Sequence, residues 1–356
     1  MAASEAGPRR WRRRVARAAA SVVCLAILIA GAGATYQLIA GLRDRRAHPP
    51  PGKMIDVGGF RMHLYCVGQG SPAVILDSGL SDTSLHWYKV QPQVARFTRV
   101  CSYDRAGLGW SEPSPRPRTS RVIAGELHTL LVKAGVRPPF VLVGHSFGGL
   151  NVRMYASLYP SDLSGMVLVD ACHPEQNRRL PQAGNPWREA MLWQKRLMPF
   201  GIPRLLGWCG QGMEEVQPAF RSYDCTVQQK LGWFAEEDSF NESLRQVGAT
   251  GSLGDMALVV LSHDPGARQT GFGGPQLKSL EASWMQMQEE LARLSSRGSR
   301  RIARGCSHMM HLERPDLVAG AIRDVVTQPG STPTPGWPER LPHPGLRPTP
   351  LHRPRP

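Results

Sequence analysis

Residues 141–150 read VLVGHSFGGL, the most informative segment of the chain for its architecture. Its centre, GHSFG at 144–148, fits the G-x-S-x-G pattern, in which a strand turns sharply into a helix with the serine at the apex. The serine backbone is strained in such a turn, and the glycines on either side let strand and helix approach closely. The apolar run 140–143 predicts the strand, and the spacing of residues 150–156 predicts the helix. The sequence therefore predicts that the hydroxyl of Ser146 stands exposed above the end of a strand.

Apolar segments typical of strands alternate with helical segments along most of the chain. The segments 122–133 and 151–158 have helical spacing, and strands are predicted at 54–57, 61–67, 73–76, 99–103, 140–143, 166–169, 257–261 and 300–303. Several are continuous apolar runs, as in parallel strands that are covered on both faces. The first two are predicted to form an antiparallel hairpin around Gly58 and Gly59. The alternation predicts an α/β fold with a mostly parallel, doubly wound sheet, in a domain at 54–328.

One interval, about 174–253, breaks this alternation because it has helical patches but no clear strand. It is rich in tryptophan, methionine and phenylalanine, as expected of helices that cover an apolar space. Ordinary packing of helices on the sheet explains most of these residues one by one. A lid over Ser146 explains the segment as a whole, and we therefore predict a helical lid insertion.

The N-terminal region has the pattern of a membrane anchor. A basic segment, 1–17, contains six arginines and is followed by an uncharged segment of 25 residues at 18–42. At about 1.5 Å per residue, such a helix would span a hydrocarbon core of about 30 Å. The arginines predict a cytoplasmic N-terminus with the rest of the chain outside, beyond a polar linker at 43–53. The alternatives are a buried helix and a signal peptide, which would be cleaved at the small-x-small site 32–34 to give a secreted protein.

The net charge of +15 lies mostly at the two ends of the chain. Residues 1–52 carry +7 and residues 329–356 carry +3, which leaves +5 for the 276 residues between them. No compact basic groove with interleaved aromatic residues is visible in that middle part, so nucleic-acid binding is not expected. The last segment, 329–356, has ten prolines in 28 residues and no apolar periodicity, which predicts a disordered tail.

The seven cysteines form no C-x-x-C pair and no cysteine–histidine cluster at zinc spacing, so a metal site is not expected. Cys66 and Cys101 lie on predicted strands, where a cysteine usually serves as a small apolar core residue. Cys209 and Cys225 flank a short polar segment and could pair in an oxidising compartment.

A serine hydroxyl needs a base, and the base needs an acid that orients it. In this type of strand–turn–helix the chain order is serine, acid, histidine. His308 follows the last predicted strand, at the carboxyl edge where ligands gather, and is the predicted base, with His311 as its competitor. The predicted acid is Asp264, just after the next-to-last strand. The alternative is Asp170, which ends the strand MVLVD after the one that carries Ser146.

Two backbone amides are predicted to bind an oxyanion at this site. One is the amide of Phe147, directly after the serine. The other lies on the loop after the strand 73–76, where the amide of Leu80 is the first choice and that of Ser81 the next.

Other polar residues near the elbow are predicted to be structural. Asp104 and Arg105 are expected to form an ion pair that ties loops together beneath the site. His145 is expected to make a structural hydrogen bond that points away from the serine. His173 and His263 are expected to lie in loops.

The chain resembles the α/β-hydrolase superfamily over roughly residues 54–327. The motifs that carry the resemblance are DSGL at 77–80, YDRAGLGWS at 103–111, GHSFGG at 144–149, MVLVD at 166–170 and GCSHMMHLERPD at 305–316. The opening of the domain looks like that of a bacterial subgroup with an N-terminal membrane segment. The resemblance implies a helical lid, no cofactor, and Ser146, His308 and Asp264 as nucleophile, base and acid. The acid strand departs from the pattern, since it ends SHDP rather than the commoner G-x-D-D.

The predicted function is a serine hydrolase that cleaves an ester or related acyl bond of an apolar small molecule through an acyl-enzyme. Epoxide hydrolysis and dehalogenation use a carboxylate nucleophile in this fold, so a serine at position 146 argues against them. A peptidase, an acyltransferase or a perhydrolase with the same triad is the alternative. A non-catalytic binding protein on this scaffold is a further one, because the fold alone does not decide the function.

Overall fold

The apolar segments of the sequence form one eight-stranded sheet. The computed structural model describes residues 6–180, 186–267 and 275–328, and the predicted tail at 329–356 lies outside the described residues. All predicted strands are present, with ends that differ by a few residues from those predicted. The strands are β1 (Lys53–Asp56), β2 (Arg61–Val67), β3 (Ala73–Asp77), β4 (Val100–Tyr103), β5 (Phe140–His145), β6 (Leu163–Val169), β7 (Ala257–His263) and β8 (Gly298–Ala303). Strands β3 to β7 are almost entirely buried, which is why they are continuous apolar runs.

The strand order brings the ends of distant segments together at one edge of the sheet. The order is β1-β2-β4-β3-β5-β6-β7-β8. β1 and β2 form the predicted antiparallel hairpin, with Lys53 opposite Leu64, and β2 pairs antiparallel with β4. Every pairing from β4 to β8 is parallel. The carboxyl ends of β3 to β8 therefore meet at the same edge, where ligands bind in open α/β sheets.

Helices cover both faces of the sheet. The α-helices of the described residues are α1 (Ala6–Ala47), α2 (Gln91–Val94), α3 (Ser120–Lys133), α4 (Phe147–Leu158), α5 (Gln176–Arg179), α6 (Pro186–Leu197), α7 (Ile202–Leu205), α8 (Gln217–Asp224), α9 (Val227–Asp238), α10 (Phe240–Gly248), α11 (Pro275–Ala292), α12 (Met310–Glu313) and α13 (Pro315–Val326). On one face, α3, α4 and α11 contribute Leu127, Leu150 and Leu291 to the main apolar core. On the other face, α2 and α13 contribute Val94 and Ile322 to a second core. This is the doubly wound arrangement that the alternation predicts.

Helices α5 to α10 form the predicted lid, and its cysteines Cys209 and Cys225 are joined by a disulfide. The prediction for the other pair is wrong, because Cys66 and Cys101 are also joined by a disulfide rather than being separate core residues. These two cysteines face each other in the β2–β4 register. Although β3 separates β2 from β4 in the sequence, β2 and β4 are neighbours in the sheet. The disulfide is therefore a consequence of the order of the strands in the sheet.

Helix α1 is long and apolar enough to cross a membrane, over Trp11–Ala47, and its apolar window is not covered by the rest of the chain. The helix continues to Ala47, so the first residues of the predicted linker at 43–53 are helical. Its second half contacts the lid. Gln37 Nε2 donates a hydrogen bond of 2.8 Å to the carbonyl oxygen of Cys225. This hydrogen bond holds the second half of the helix against the lid.

Candidate active site

The turn at Ser146 has the strained geometry that its motif predicts. Ser146 lies between β5 and α4 with φ of 51° and ψ of −118°, a conformation that non-glycine residues rarely adopt. A Cβ atom on Gly144 would lie 2.6 Å from the carbonyl oxygen of Gly148, and one on Gly148 would lie 2.4 Å from that of Asp77. These distances are too short for any side chain, so the two glycines are what allow the turn.

His308 contacts Asp170 and not Asp264. Its Nδ1 lies 2.6 Å from Oδ2 of Asp170, the residue directly after β6. The carboxylate of Asp170 is fully buried, whereas the side chain of His308 is 38% exposed. Of the two candidate acids, the structure therefore places the alternative, Asp170, in the position that orients the imidazole.

Asp264 braces the loop that carries His308 without contacting the ring. Its carboxylate accepts hydrogen bonds of 2.9 Å from the amides of Gly305 and Gly266. These bonds lower the pKa of Asp264. Its own amide donates to the carbonyl oxygen of Cys306 at 3.0 Å. The prediction of Asp264 as the orienting acid disagrees with this geometry, because β7 ends at His263 and the next residue turns towards the backbone of the neighbouring loop.

The carboxylate of Asp170 is shared by two histidines. His263 is the last residue of β7, and its Nδ1 lies 2.8 Å from Asp170 Oδ2 while its Nε2 lies 2.8 Å from Glu281 Oε2. Trp284 of α11 donates from Nε1 to Asp170 Oδ1 at 2.9 Å. The expectation that His263 is a loop residue is therefore wrong, because it is a buried residue of the sheet. Its position directly before Asp264 gave no signal of this role in the sequence.

The charges of Asp170 and His263 support each other. Burial opposes the charge of Asp170, but the hydrogen bonds and charges of His263 and His308 outweigh it and hold the pKa of Asp170 well below its usual range. Burial also opposes the charge of His263, but Asp170 and Glu281 raise the pKa of His263 to about 9. His263 is therefore an imidazolium at neutral pH, and it keeps Asp170 ionised.

The hydroxyl of Ser146 contacts a buried thiol. Its Oγ lies 3.8 Å from Sγ of Cys172, and within the described ranges no hydrogen bond joins it to His308. Burial raises the pKa of the Cys172 thiol to about 12, so the thiol stays neutral. The loop of His308 is nevertheless held at the elbow, because the carbonyl oxygen of His308 lies 3.0 Å from Nε2 of His145.

Two further histidines support this loop from below. A carbonyl oxygen only accepts, so Nε2 of His145 carries the proton and donates to His308, which is the structural role predicted for His145. Burial lowers the pKa of His145 to about 3 and that of His311 well below its ordinary value. The ring of His311 packs between His145 and Trp87, at centroid distances of 4.2 and 5.2 Å. In the part of the chain that the structure describes, neither nitrogen of His311 has a polar partner, so this competitor of His308 has no acid to orient it.

Two amides beside Ser146 are free to bind an oxyanion. Within residues 6–180, 186–267 and 275–328, the amides of Phe147 and Leu80 donate to no protein acceptor. The amide of Ser81 donates to Glu236 Oε2 at 2.8 Å and is therefore occupied. Of the two amides considered in this loop, that of Leu80 is therefore available as a hydrogen-bond donor and that of Ser81 is not.

A buried arginine joins the oxyanion loop to the lid. Arg105 donates to Asp77 at 2.7 Å, to the carbonyl oxygen of Gly79 at 2.6 Å, and to both carboxylate oxygens of Glu236 in α9 at 2.6 and 2.9 Å. Burial opposes the charge of Arg105, but Glu236 and Asp77 outweigh it and raise the pKa of Arg105 above its ordinary value. Since Glu236 also accepts the amide of Ser81, one lid carboxylate fixes the loop that presents Leu80.

The ion pair predicted between Asp104 and Arg105 is not formed among the described residues. Asp104 Oδ2 instead lies 2.9 Å from Nδ1 of His63 on β2, and Oδ1 accepts the amide of Ser84 at 2.7 Å. Both residues are buried and structural, as predicted, but each has partners of its own.

A cavity of about 320 Å³ lies between the lid and the oxyanion loop. Ser81 lines it on the side of the loop, and Met191, Trp208 and Trp233 line it on the side of the lid. Ser146 and His308 are not part of its wall. Its mixed lining suits the body of a small, partly apolar ligand.

One cluster of potential metal ligands was not visible in the sequence. His173, Glu175 and Glu290 bring one ligand atom each to within 4.8 Å of one another. Arg179 already pairs with both carboxylates, at 2.6 Å from Glu175 and 2.9 Å from Glu290. The cluster is therefore explained as an ion-pair network that ties α5 to α11.

A model of a protein family matches most of the domain. The model of the alpha/beta hydrolase family covers residues 74–321, which include Ser146, Asp170 and His308.

Among curated proteins, one similar to this chain is an uncharacterised protein of Schizosaccharomyces pombe, 24% identical over 327 residues, or 81% of this chain and 57% of that protein. Another is the uncharacterised protein YqjL of Bacillus subtilis, 26% identical over 275 residues, or 77% of this chain and 91% of that protein. The chain spans 57%, 20% and 39% of the lengths of the first three curated relatives. Among solved structures, a thermophilic esterase from Thermogutta terrifontis superposes with a TM-score of 0.51 at 20% identity, over 77% of this chain and 98% of that one.

Proposed function

Because the chain belongs to the alpha/beta hydrolase family, we propose that it is a serine hydrolase that cleaves the ester bond of an apolar small molecule. Ser146 is the nucleophile, His308 the base and Asp170 the orienting acid. The observation that carries the proposal is the 2.6 Å contact between His308 Nδ1 and Asp170, at the sheet edge where the strained Ser146 stands. A serine, and not a carboxylate, at the elbow favours acyl transfer over epoxide or haloalkane hydrolysis.

Asp170, His308 and Ser146 each have a separate part in the reaction. Asp170 accepts a hydrogen bond from the Nδ1–H group of His308, which keeps the proton on Nδ1 and leaves Nε2 able to take another. Ser146 Oγ turns from Cys172 to the substrate and attacks its carbonyl carbon while its proton passes to His308 Nε2. Catalytic hydrogen bonds often tighten only once substrate is bound, so this rotation is part of the first step.

The oxyanion that forms is bound by the free amides of Phe147 and Leu80. When the tetrahedral intermediate collapses, the C–O bond breaks and the leaving alcohol takes the proton from His308. Water then attacks the acyl group on Ser146 and gives a proton to His308; the bond between the acyl carbon and Oγ breaks, His308 returns the proton to Oγ, and the acid product leaves. No atom beyond substrate and water is required.

The test is hydrolysis of p-nitrophenyl esters of increasing chain length by the full chain in detergent, with Ser146→Ala as the matched control. We expect turnover that Ser146→Ala abolishes while its thermal unfolding is unchanged. Turnover retained by folded Ser146→Ala would overturn the proposal. If Ser146-dependent turnover occurs with an anilide and not with esters, the peptidase alternative replaces the esterase.

We also propose that α1 anchors the protein in a membrane with its catalytic domain on the non-cytoplasmic side. Two disulfides in the domain suit an oxidising compartment. The helix runs without a break through the small-x-small site 32–34, and it packs on the lid before and after the bond that follows residue 34, through Gly33 and Gln37. Removal of residues 1–34 would discard part of this contact. Resistance of the full-length protein to carbonate extraction is expected, and a mature N-terminus near position 35 would contradict it.

A further inference from the structure

The exposed apolar side chains of the domain are concentrated on the lid. Outside α1, the described residues hold six large apolar side chains that are exposed, and all six lie within 174–253: Trp193, Phe200, Leu205, Leu206, Trp208 and Leu231. Five of them fall in the short stretch from the end of α6 to the loop after α7. We call these five residues the apolar lid surface. A concentration of exposed apolar side chains in one short stretch is a candidate interaction site.

Helix α1 packs directly beside this surface. A Cβ atom on Gly33 would lie 2.4 Å from the carbonyl oxygen of Phe200, and one on Gly201 would lie 2.8 Å from the ring of Tyr36. Glycines at both points allow backbone-to-backbone contact between the helix and the lid. The apolar lid surface therefore continues the apolar surface of α1.

The contact lies well inside the uncharged part of α1. That part ends at Leu42, and Gly33 is nine residues earlier. At a rise of about 1.5 Å per residue, Gly33 and the adjoining Phe200 lie about 14 Å along the helix from the end of the uncharged segment. If α1 spans the bilayer, Phe200 lies at a depth occupied by hydrocarbon.

The polar groups at the same contact are shielded. Arg204 is only 4% exposed, and it pairs with Gln37 and Asp44 of α1. The two residues that follow it, Leu205 and Leu206, are 63% and 55% exposed. A surface on which the arginine is buried and the leucines are exposed is suited to contact with hydrocarbon rather than with water.

The rim of the surface has the residues of a lipid–water interface. Trp193 and Trp208 are half exposed, and tryptophan is enriched at the level of lipid headgroups. The guanidinium of Arg196 lies 5.5 Å from the ring of Trp193, and Lys195 precedes it. The exposed guanidinium of Arg196 is suited to contact lipid phosphates, whereas Nζ of Lys195 lies 4.4 Å from the centre of the buried Phe234 ring.

We propose that the apolar lid surface is immersed in the bilayer leaflet next to α1, and that the acyl substrate enters the site from that leaflet. Trp208 belongs to this surface and also lines the cavity whose opposite wall is Ser81 of the oxyanion loop. The cavity therefore has in its wall both a residue of the apolar lid surface and the residue that follows Leu80. The entry route rests on the proposed esterase function, whereas the immersion rests only on α1 as a membrane span.

The immersion is tested by a depth probe on the full chain in lipid vesicles. In a Cys24→Ser background the remaining thiols are buried or in disulfides. A nitrobenzoxadiazole label on Leu205→Cys should have blue-shifted emission and be quenched by lipids that carry bromine on the acyl chain. The matched control is Ser299→Cys on the edge strand β8, whose label should remain in water. Equal emission and quenching at the two positions would overturn the proposal.

The entry route is tested with Leu205→Asp/Leu206→Asp, since neither residue lines the cavity. A carboxylate is costly in hydrocarbon, so we expect turnover of a long-chain ester dissolved in the vesicles to fall by about tenfold or more. Turnover of water-soluble p-nitrophenyl acetate should not change. An equal loss for both esters, or no loss for either, would refute the route. If the wild type hydrolyses neither ester, the proposed function fails, while the depth measurement still decides the immersion.

Discussion

Replacement of Asp170 by asparagine should remove most of the activity, whereas the same change at Asp264 should not. Asp170→Asn removes the charge that faces His308 Nδ1 at 2.6 Å and His263 Nδ1 at 2.8 Å. The amide can no longer stabilise an imidazolium, and its N–H group is able to favour the wrong tautomer of His308. For a serine triad this loss lowers kcat by about 10³- to 10⁴-fold, or about 4 to 5.5 kcal/mol in the barrier.

Asp264→Asn removes only an acceptor of two loop amides. Hydrogen bonds of this kind contribute about 1 kcal/mol each, so we expect less than about tenfold loss of kcat. The assay is ester hydrolysis by both variants, together with thermal unfolding, because Asp170→Asn also breaks buried ion pairs and destabilises the fold. The reasoning is refuted if folded Asp170→Asn keeps kcat within tenfold of the wild type, or if Asp264→Asn loses as much.

Three further predictions concern stability. The pKa of His263 is raised to about 9, so its stabilisation is complete below its unfolded pKa of about 6.5 and is lost as the pH rises through 9. The difference in unfolding free energy between wild type and His263→Gln should therefore shrink by up to about 3 kcal/mol from pH 6 to pH 10, and a pH-independent difference would contradict it. Gly148→Ala should destabilise the protein by about 1–3 kcal/mol, because the new methyl group meets the carbonyl oxygen of residue 77. Gly320→Ala, where the Cβ meets nothing within 4 Å, should be neutral or stabilising, and urea unfolding of both variants measures the difference. Glu236→Gln removes one of the two carboxylates that pair with the buried Arg105 and should cost about 1.5–3 kcal/mol, against less than about 1 kcal/mol for the neighbouring Glu237→Gln, whose partner is exposed. Equal melting temperatures of these two variants would count against a stabilising role of the Arg105–Glu236 ion pair between the lid and the oxyanion loop.

The sheet could be predicted from the sequence because its signals are local. Each strand from β3 to β7 is a short apolar run, and the glycines of the G-x-S-x-G pattern indicate the turn at Ser146. The carboxyl edge then follows from the parallel order of the strands, and with it the position of His308.

The acid could not be chosen in the same way. Both Asp170 and Asp264 follow parallel strands at the same edge, so their sequence positions are equivalent. The choice depends on the direction of each side chain, which is set by the positive φ of 43° at Asp170 and by the amides that hold Asp264. His263 and Glu281, which complete the surroundings of Asp170, come from a strand and a helix whose approach has no local signature.

The contacts made by the lid could not be predicted from the sequence either. Glu236 reaches Arg105 across 131 residues, and Cys66 meets Cys101 only because β2 pairs with β4. Such pairs depend on the tertiary arrangement, whereas apolar periodicity reports only which face of an element is buried.

The central claim, that Ser146 is an activated nucleophile, is tested most directly by a fluorophosphonate probe and peptide mass mapping of the full chain in detergent. We expect one phosphonyl adduct, on the peptide that contains Ser146, and none on folded Ser146→Ala. An adduct on another residue, or folded wild-type protein that does not react, would contradict the claim.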